Sequence, residues 1–341
     1  QDIRLDNIET NVKRHELLLD KLADNQLELS TRLTELASSM DAQNQIIGEG
    51  FELIKKVILG LLFVTSLFGQ VNRVLTISPS AEETTLGNQS LAFRNPATNH
   101  FNLDTTTNVS FTNVQWLKNI VDDMGYNYVD VRWKNFGFNL LHFDYGEQKQ
   151  TDVFGTVNGS FSPTTTKLGV SWGTPLYYKG NKLDSVSIGV EGKAIFHDLH
   201  TEKTDGMLFD VGIHMDDFWK KLDMDIMIAN FGLMTKMNGH EIDIPTSLNV
   251  GIKIPIKQWN IYNQWNIYSE YYTMGQGISY NFRDTFWFRA GFFSDIDHQL
   301  NYPSIGMGFE YDKYNIGLGF ISGDDTHPLK DSMLLTINVE I

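Results

Sequence analysis

From about residue 105 to residue 341 the chain alternates apolar and polar side chains one by one, segment after segment. A period of two puts neighbouring residues on opposite faces of an extended strand, and no helical packing satisfies it. The alternation runs through residues 124–133 (MGYNYVDVRW), 136–146 (FGFNLLHFDYG), 167–174 (KLGVSWGT) and 185–196 (SVSIGVEGKAIF). It continues through 206–215, 222–232, 246–254 and 266–282, and closes with 285–293, 304–311, 314–322 and 333–341. Turn signals stand between these runs: Gly180-Asn181, the stretch from Asn281 to Asp284, and Gly323-Asp324-Asp325. Strands of about 8–11 residues joined by polar turns read as an all-β barrel or sandwich.

The two faces of each strand differ sharply. Leu335, Ile337, Val339 and Ile341 share one face, and Thr336, Asn338 and Glu340 share the other. In the same way Met224, Ile226 and Ile228 oppose Asp223, Asp225 and Met227. Lipid outside and a wet lumen inside give this pattern, but so does a sandwich with one face in water. The aromatics favour the membrane. Trp116, Trp133, Trp172, Trp259, Trp265 and Trp287 fall near predicted strand ends, with Tyr262, Tyr268, Tyr271 and Tyr272 close to two of them. Rings of this kind gather at the headgroup level, the apolar body in lipid and the polar edge in water. Aromatics make up 12% of the chain, with 28 glycines and 8 prolines, which suits long antiparallel strands.

The first seventy residues follow other rules. Residues 1–50 carry a heptad seam, with Leu5, Val12, Leu19, Gln26, Leu33, Met40 and Ile47 at one position and Ile8, His15, Leu22, Leu29, Leu36 and Gln43 at the other. About six heptads of this kind predict a coiled-coil helix that self-associates if it is retained. Residues 51–70 hold a short apolar run, VILGLLFVTSLF at 57–68, preceded by Lys55 and Lys56. A spanning helix needs roughly 20 apolar residues and a signal peptide about 7–15. The run therefore predicts a signal peptide cleaved near Gly69 or Gln70. Residues 71–105 show no period and contain Pro79 and Pro96, predicting an irregular lead-in to the strands of 106–341.

Residues 77–102 (ISPSAEETTLGNQSLAFRNPATNHFN) carry Ser80-Ala81, Leu86-Gly87 and Asn95-Pro96-Ala97, and residues 144–162 carry Tyr145, Gly146, Thr151, Asp152, Gly155, Gly159 and Phe161. This ordered series resembles the PorV/PorQ outer-membrane proteins, a group similar to the FadL fatty-acid transporter barrels. Residues 189–195, 209–213 and 229–232 are similar to later landmarks of that group. The resemblance implies an antiparallel transmembrane β-barrel of about 14 strands, with the N-terminal segment tucked into its lumen. It also implies a bacterial outer-membrane location. The role it implies is in type IX secretion or surface attachment, through recognition of exported cargo or other secretion proteins. Segments 197–205 and 295–303 are the predicted recognition loops. The alternative is a FadL-like channel for a hydrophobic small molecule, which needs an apolar pocket above a plug and a lateral opening between strands.

Chemistry is sparse. The net charge of −15, from 27 basic and 42 acidic residues, argues against nucleic acid as a partner, because phosphate binding needs a basic face. With no cysteine there is neither a disulfide framework nor a thiolate metal site. His197 and His200 fall on opposite faces of a strand, and residues 322–327 (SGDDTH) lack the spacing of a calcium loop. His142, His214 and Asp210 sit in different strands. The expectation is a protein that is not an enzyme, with no cofactor and no metal, whose partners are the lipid bilayer and a protein or hydrophobic ligand.

Overall fold

The computed structural model describes residues 73–102, 106–117, 121, 123–151, 157–178, 181–199, 202–219, 221–236, 242–295, 300–323 and 329–341. The coiled coil predicted at 1–50 and the signal segment predicted at 51–70 lie outside these residues.

Sixteen strands are present among the described residues, and fourteen of them close into one antiparallel barrel. The first half comprises β1 (Thr107–Gln115), β2 (Gly125–Trp133), β3 (Phe136–Asp144), β6 (Thr164–Tyr178), β7 (Asn181–Asp198), β8 (Lys203–Trp219) and β9 (Leu222–Met234). The second half comprises β10 (Ser247–Ile256), β11 (Trp259–Ile267), β12 (Tyr272–Phe282), β13 (Phe286–Asp295), β14 (Leu300–Tyr311), β15 (Tyr314–Ile321) and β16 (Met333–Glu340). Each strand pairs with its neighbour in the barrel order, and β1 pairs with β16 from Asn108 opposite Glu340 to Gln115 opposite Met333. Reciprocal bonds between Thr107 and Ile341 finish that seam. The remaining pair, β4 (Gln148–Thr151) and β5 (Val157–Phe161), forms a separate two-stranded hairpin between β3 and β6.

Side-chain parity decides which face meets lipid. Phe138, Leu140, Leu168, Val170, Ile188, Val190, Ile305 and Met307 point outward and are exposed. Their alternates Thr112, Lys167, Glu191, Lys193, Asp210 and Gln264 point inward and are buried. An apolar exterior around polar inward positions is the reverse of a soluble domain. Hydrocarbon offers backbone groups no hydrogen bonds, so only a helix or a closed barrel can cross it. The chain is a transmembrane β-barrel of the outer-membrane kind.

The two ends of the barrel differ. Residues 134–135, 257–258, 283–285 and 312–313 make short links at one end. Lys134, Lys257, Arg283, Asp284 and Asp312 take positive φ there, the conformation that tight hairpin turns require. Residues 116–124, 145–163, 235–246 and 322–332 make longer connections at the opposite end. Short turns face the periplasm and long loops the exterior in such barrels. Trp133, Phe136, Trp172, Trp259, Phe286 and Phe309 ring the short-turn rim on the outer face.

Two of the six tryptophans predicted as interfacial are not on that face. Trp287 has the inward parity of β13, and Trp116 is buried at the long-loop end. Trp265 faces outward two residues before the long-loop end of β11 and is half-buried, and Tyr262 faces inward beside Phe93. The predicted recognition loops are also narrower than their segments, since strands extend through most of 197–205 and 295–303 and leave only 199–202 and 296–299 as links.

The lipid-facing assignment makes a quantitative prediction. Ile305→Arg, in the middle of β14, should lower the unfolding free energy in lipid vesicles by about 2–4 kcal/mol. A denaturant titration followed by heat-dependent gel migration measures this, and an unchanged midpoint would contradict a lipid-facing β14.

Candidate functional site

Residues 73–102 contact β2, β3 and β6–β8 on one side of the barrel and β9, β10 and β13–β16 on the other. A segment that reaches opposite walls of a closed barrel lies in its lumen. It holds two short helices, Ala81–Thr85 and Leu91–Arg94, flanked by 3-10 turns at Arg73–Thr76 and Pro96–Asn102.

Sequence chemistry explains how each turn is fixed. Ser80 caps the first helix, its Oγ accepting from the Glu83 N–H at 3.2 Å. The next free donor, the Ala81 N–H, reaches Thr336 Oγ1 of β16 at 2.9 Å, and Thr336 meets Thr112 of β1 at 2.8 Å. The second helix is tied through Leu91 N–H to Gln264 Oε1 at 2.8 Å. Arg94 Nε and Glu83 Oε2, 2.8 Å apart, join the two helices. Arg289 reaches Glu82 at 2.9 Å while stacking on Trp287 at 3.5 Å, which explains the inward turn of that tryptophan. Burial pushes the Glu83 carboxyl above its usual range, with Arg94 opposing it.

Glycines let the backbone of this segment touch the wall. Leu86 and Gly87 press on Gly275, Gly277 and Gly291, where any Cβ would collide with their backbone atoms. Gly87 itself has φ +79°, and a Cβ there would stand 2.5 Å from the Phe292 carbonyl oxygen. On the opposite wall Asn95, Pro96 and Ala97 press on Gly173, Gly189 and Gly212. Pro96 holds Asn95 extended, with ψ 118°. The Asn95 Nδ2 then donates to Asp225 Oδ1 at 2.7 Å and to the Ile213 carbonyl at 2.9 Å. The tripeptide Asn95-Pro96-Ala97 and the pair Leu86-Gly87, noted in the sequence as landmarks, are the two places of closest approach.

Around these contacts the lumen is charged. Lys193 Nζ lies 2.5 Å from Asp210 Oδ1 and donates to Asn230 Oδ1, while the Asn230 N–H bonds Asp210 at 2.7 Å. His214 meets Asp225 at 2.9 Å and Lys253 meets Asp223 at 3.0 Å. A polar cavity of about 550 Å³ lies at the short-turn end among Glu82, Asp130, Arg132, Asp223 and Lys253.

At the long-loop end the chemistry inverts. A cavity of about 350 Å³ is lined by Trp116, Leu117, Met124, Phe143, Tyr145, Tyr268, Tyr271, Phe293, Leu300, Tyr302 and Leu329, with Thr273 and Asp295 as polar members. Val74, Thr76, Ile77 and Asn88 of the lumenal segment also line it. Three aromatic pairs build the wall: Tyr268 with Tyr271 at 4.3 Å, Phe143 with Tyr145 at 4.8 Å and Phe293 with Tyr302 at 5.0 Å. No described lining residue is Lys, Arg or His.

The wall beside this level is interrupted. β9 pairs with β8 as far as Met234, but its ladder with β10 stops at Ala229 opposite Ser247. A bulge on β9, where Ala229 and Asn230 stand opposite Asp210 of β8, together with positive φ at Asn230 (58°) and the extended Gly232, bends β9 at that point. Residues 242–246 stand in for a strand, held by Asn230 Nδ2 to the Pro245 carbonyl at 3.3 Å and Thr246 Oγ1 to the Asn230 carbonyl at 2.8 Å. Ile195, Leu208, Ile244, Leu75 and Met234 seal the gap.

The other residues singled out in the sequence are scattered. Tyr145 lines the apolar cavity, and Gly146 turns with φ +76°. Thr151, Gly159 and Phe161 belong to the β4–β5 hairpin, while Asp152 and Gly155 lie outside the described residues. His197 bonds Thr165 at 2.6 Å, and His200 is outside the described residues. His142 points outward and His214 and Asp210 inward, so these three form no triad. Among the described residues no group of three or more His, Asp or Glu is placed to hold a metal. Periodicity gave no sign of the cavity, because its lining comes from strand ends and links distant in sequence.

No protein-family model matches the chain, and no curated protein matches it. The PorV/PorQ resemblance therefore gains no support from either comparison. Solved structures with a similar backbone include the toluene transporter TbuX of Ralstonia pickettii, at 11% identity and TM-score 0.47, over 79% of this chain and 98% of that one. The toluene transporter TodX of P. putida aligns at 10% identity and TM-score 0.48, over 78% of this chain and 97% of its own. The monoaromatic hydrocarbon channel CymD gives 10% identity and TM-score 0.48, over 78% and 96%. At this distance the class of the protein rests on its own strand ladder: a fourteen-stranded transmembrane barrel whose lumen holds a segment of the same chain.

The glycine contacts are open to test. Gly277→Ala should push Leu86 off the wall and raise ion conductance in planar bilayers several-fold over the parent. Gly159→Ala, on the hairpin where a Cβ meets only the Gln150 side chain at 3.8 Å, should leave conductance unchanged. Equal conductance for all three proteins would show that the seat does not hold the lumen closed.

Proposed function

We propose that this barrel is a non-catalytic outer-membrane channel that takes up a hydrophobic small molecule. The observation that carries this reading is the aromatic-walled cavity at the long-loop end, which the lumenal segment helps to enclose. An apolar solute entering such a cavity gains about 25 cal/mol for each Å² of its surface removed from water. Straight descent is opposed, because the next layer holds the Glu83–Arg94 and Lys193–Asp210 pairs, whose solvation an apolar body cannot replace. Sideways movement meets no such layer. Within the single turn Arg73–Thr76, Val74 lines the cavity and Leu75 belongs to the seal over the β9–β10 interruption. A solute passing there exchanges one apolar contact for another and ends in the hydrocarbon. The secretion role implied by the PorV/PorQ resemblance has no feature among the described residues that favours it.

The reading is tested with the full chain in nanodiscs, by equilibrium dialysis against a neutral alkylbenzene, with empty discs subtracted. Saturable binding is expected, and Phe293→Ala should weaken it about tenfold through lost aromatic contact. Binding no greater than that of empty discs would end the proposal.

A further inference from the structure

We infer that the middle of the lumen holds a binding site for a small monovalent anion such as chloride, built around Lys167 and shared between the lumenal segment and the barrel wall. It does not rest on the channel reading, because it concerns a different cavity.

Lys167 is an inward position of β6 and is 7% exposed. Arg94, Arg132, Lys193, Lys253 and Arg289 each lie within 3.0 Å of a carboxylate oxygen. Lys167 is different. Among the described residues its ammonium makes no hydrogen bond and no ion pair, and its ring contact is the Tyr128 face at 6.0 Å. An ammonium taken out of water inside a spanning barrel is costly until something compensates it, and such residues mark ion or ligand sites.

Beside Lys167 lies a third cavity, of about 50 Å³, with room for a single halide ion or about two waters. Lys193 and Arg94 line it as well. So does Asn249 of β10, 5% exposed, whose amide also makes no hydrogen bond among the described residues and whose Oδ1 is fully buried. Two unsatisfied buried groups, from strands four places apart in the barrel, thus share one small space. An anion accepts from an ammonium and an amide N–H together and offsets the charge, whereas water only accepts. The acids that face the same space are already engaged. Asp210 is held by Lys193 and the Asn230 N–H, and Glu191 accepts from Asn139 Nδ2 at 2.8 Å. The space is too small for the body of an organic acid.

Its lining has two origins. Leu75, Thr76, Ser90 and Arg94 belong to the lumenal segment, while Lys167, Lys193 and Asn249 belong to β6, β7 and β10. A bound anion therefore pins the segment to the wall and stabilises the filled barrel.

The test uses chloride NMR on the full chain in nanodiscs of zwitterionic lipid, at a constant ionic strength of about 0.1 M. Exchange with the site should broaden the chloride line. Bromide should compete the excess broadening away, and gluconate, too large for the cavity, should not. Lys167→Met should weaken chloride about tenfold. Lys203→Met, which removes an exposed lysine paired with Asp198, should leave chloride binding unchanged. The midpoint of thermal unfolding should rise by a few degrees in bromide over gluconate for the parent and not for Lys167→Met. Asn249→Leu removes the second donor and should also weaken chloride, so the outcome does not depend on how Lys167→Met folds. No excess broadening in the parent would overturn the inference and leave Lys167 to water, as would unchanged affinity in both folded variants. Displacement of chloride by 4-phenylbutyrate but not by bromide would overturn it too. The site would then serve the head of an organic acid reaching past Thr76 and Tyr268, which this cavity shares with the aromatic one.

Discussion

Hydrocarbon has no hydrogen bonds to offer, and every backbone N–H and C=O of this chain that enters the bilayer must find its partner within the protein. That demand is met at the seam, where β1 and β16 pair along their length and Thr107 and Ile341 exchange bonds. Closure turns an open sheet with two adhesive edges into a wall with none. It also fixes the sense of every side chain, since parity along a strand now means lipid or lumen. A barrel of fourteen strands is wider than its own inward side chains fill, and here the chain supplies residues 73–102 for the remaining space.

The lumen is therefore layered by chemistry along its axis. Rings gather at the long-loop end, ion pairs in the middle, and a cavity lined by charged side chains at the short-turn end. The two kinds of layer exclude different solutes. Small hydrated ions find little to replace their water among the stacked tyrosines, and apolar molecules find no match among Arg94, Lys193 and Asp210. The bend at Asn230 and Gly232 matters because it opens the ladder beside the boundary between them, where Leu75 covers the gap. One node, Lys193 with Asp210 and Asn230, ties β7 and β8 to the bulge and bend on β9.

The barrel was legible in the sequence because alternation is local: Leu335, Ile337 and Ile341 declare one face without knowledge of any partner strand. Strand count and closure needed the ladder, although the resemblance implied the number. Tryptophan positions misled where parity was ignored, for Trp287 sits one residue from Phe286 and points the other way to meet Arg289. The segment from Leu86 to Ala97 carries short landmarks, yet nothing local reveals that their counterparts are Gly173, Gly189, Gly277 and Gly291, up to two hundred residues downstream. Likewise Tyr268 and Tyr271 read as members of a lipid-interface belt, and their true neighbours, Tyr302 and Phe143, come from strands that only the closed barrel brings together.

The contact between the Ala81 N–H and Thr336 Oγ1 joins positions 255 apart in the chain. Thr336 belongs to β16 and is itself held by Thr112 of β1, so the acceptor reaches its place only when the two outermost strands have met. The first helix of the lumenal segment thus acquires its anchor in the same event that closes the cylinder. Contacts of such long sequence separation are late and slow to form. Anchoring of the first lumenal helix and closure of the wall are thereby coupled, although Leu91 and Asn95 have anchors on β8, β9 and β11 that do not need the seam.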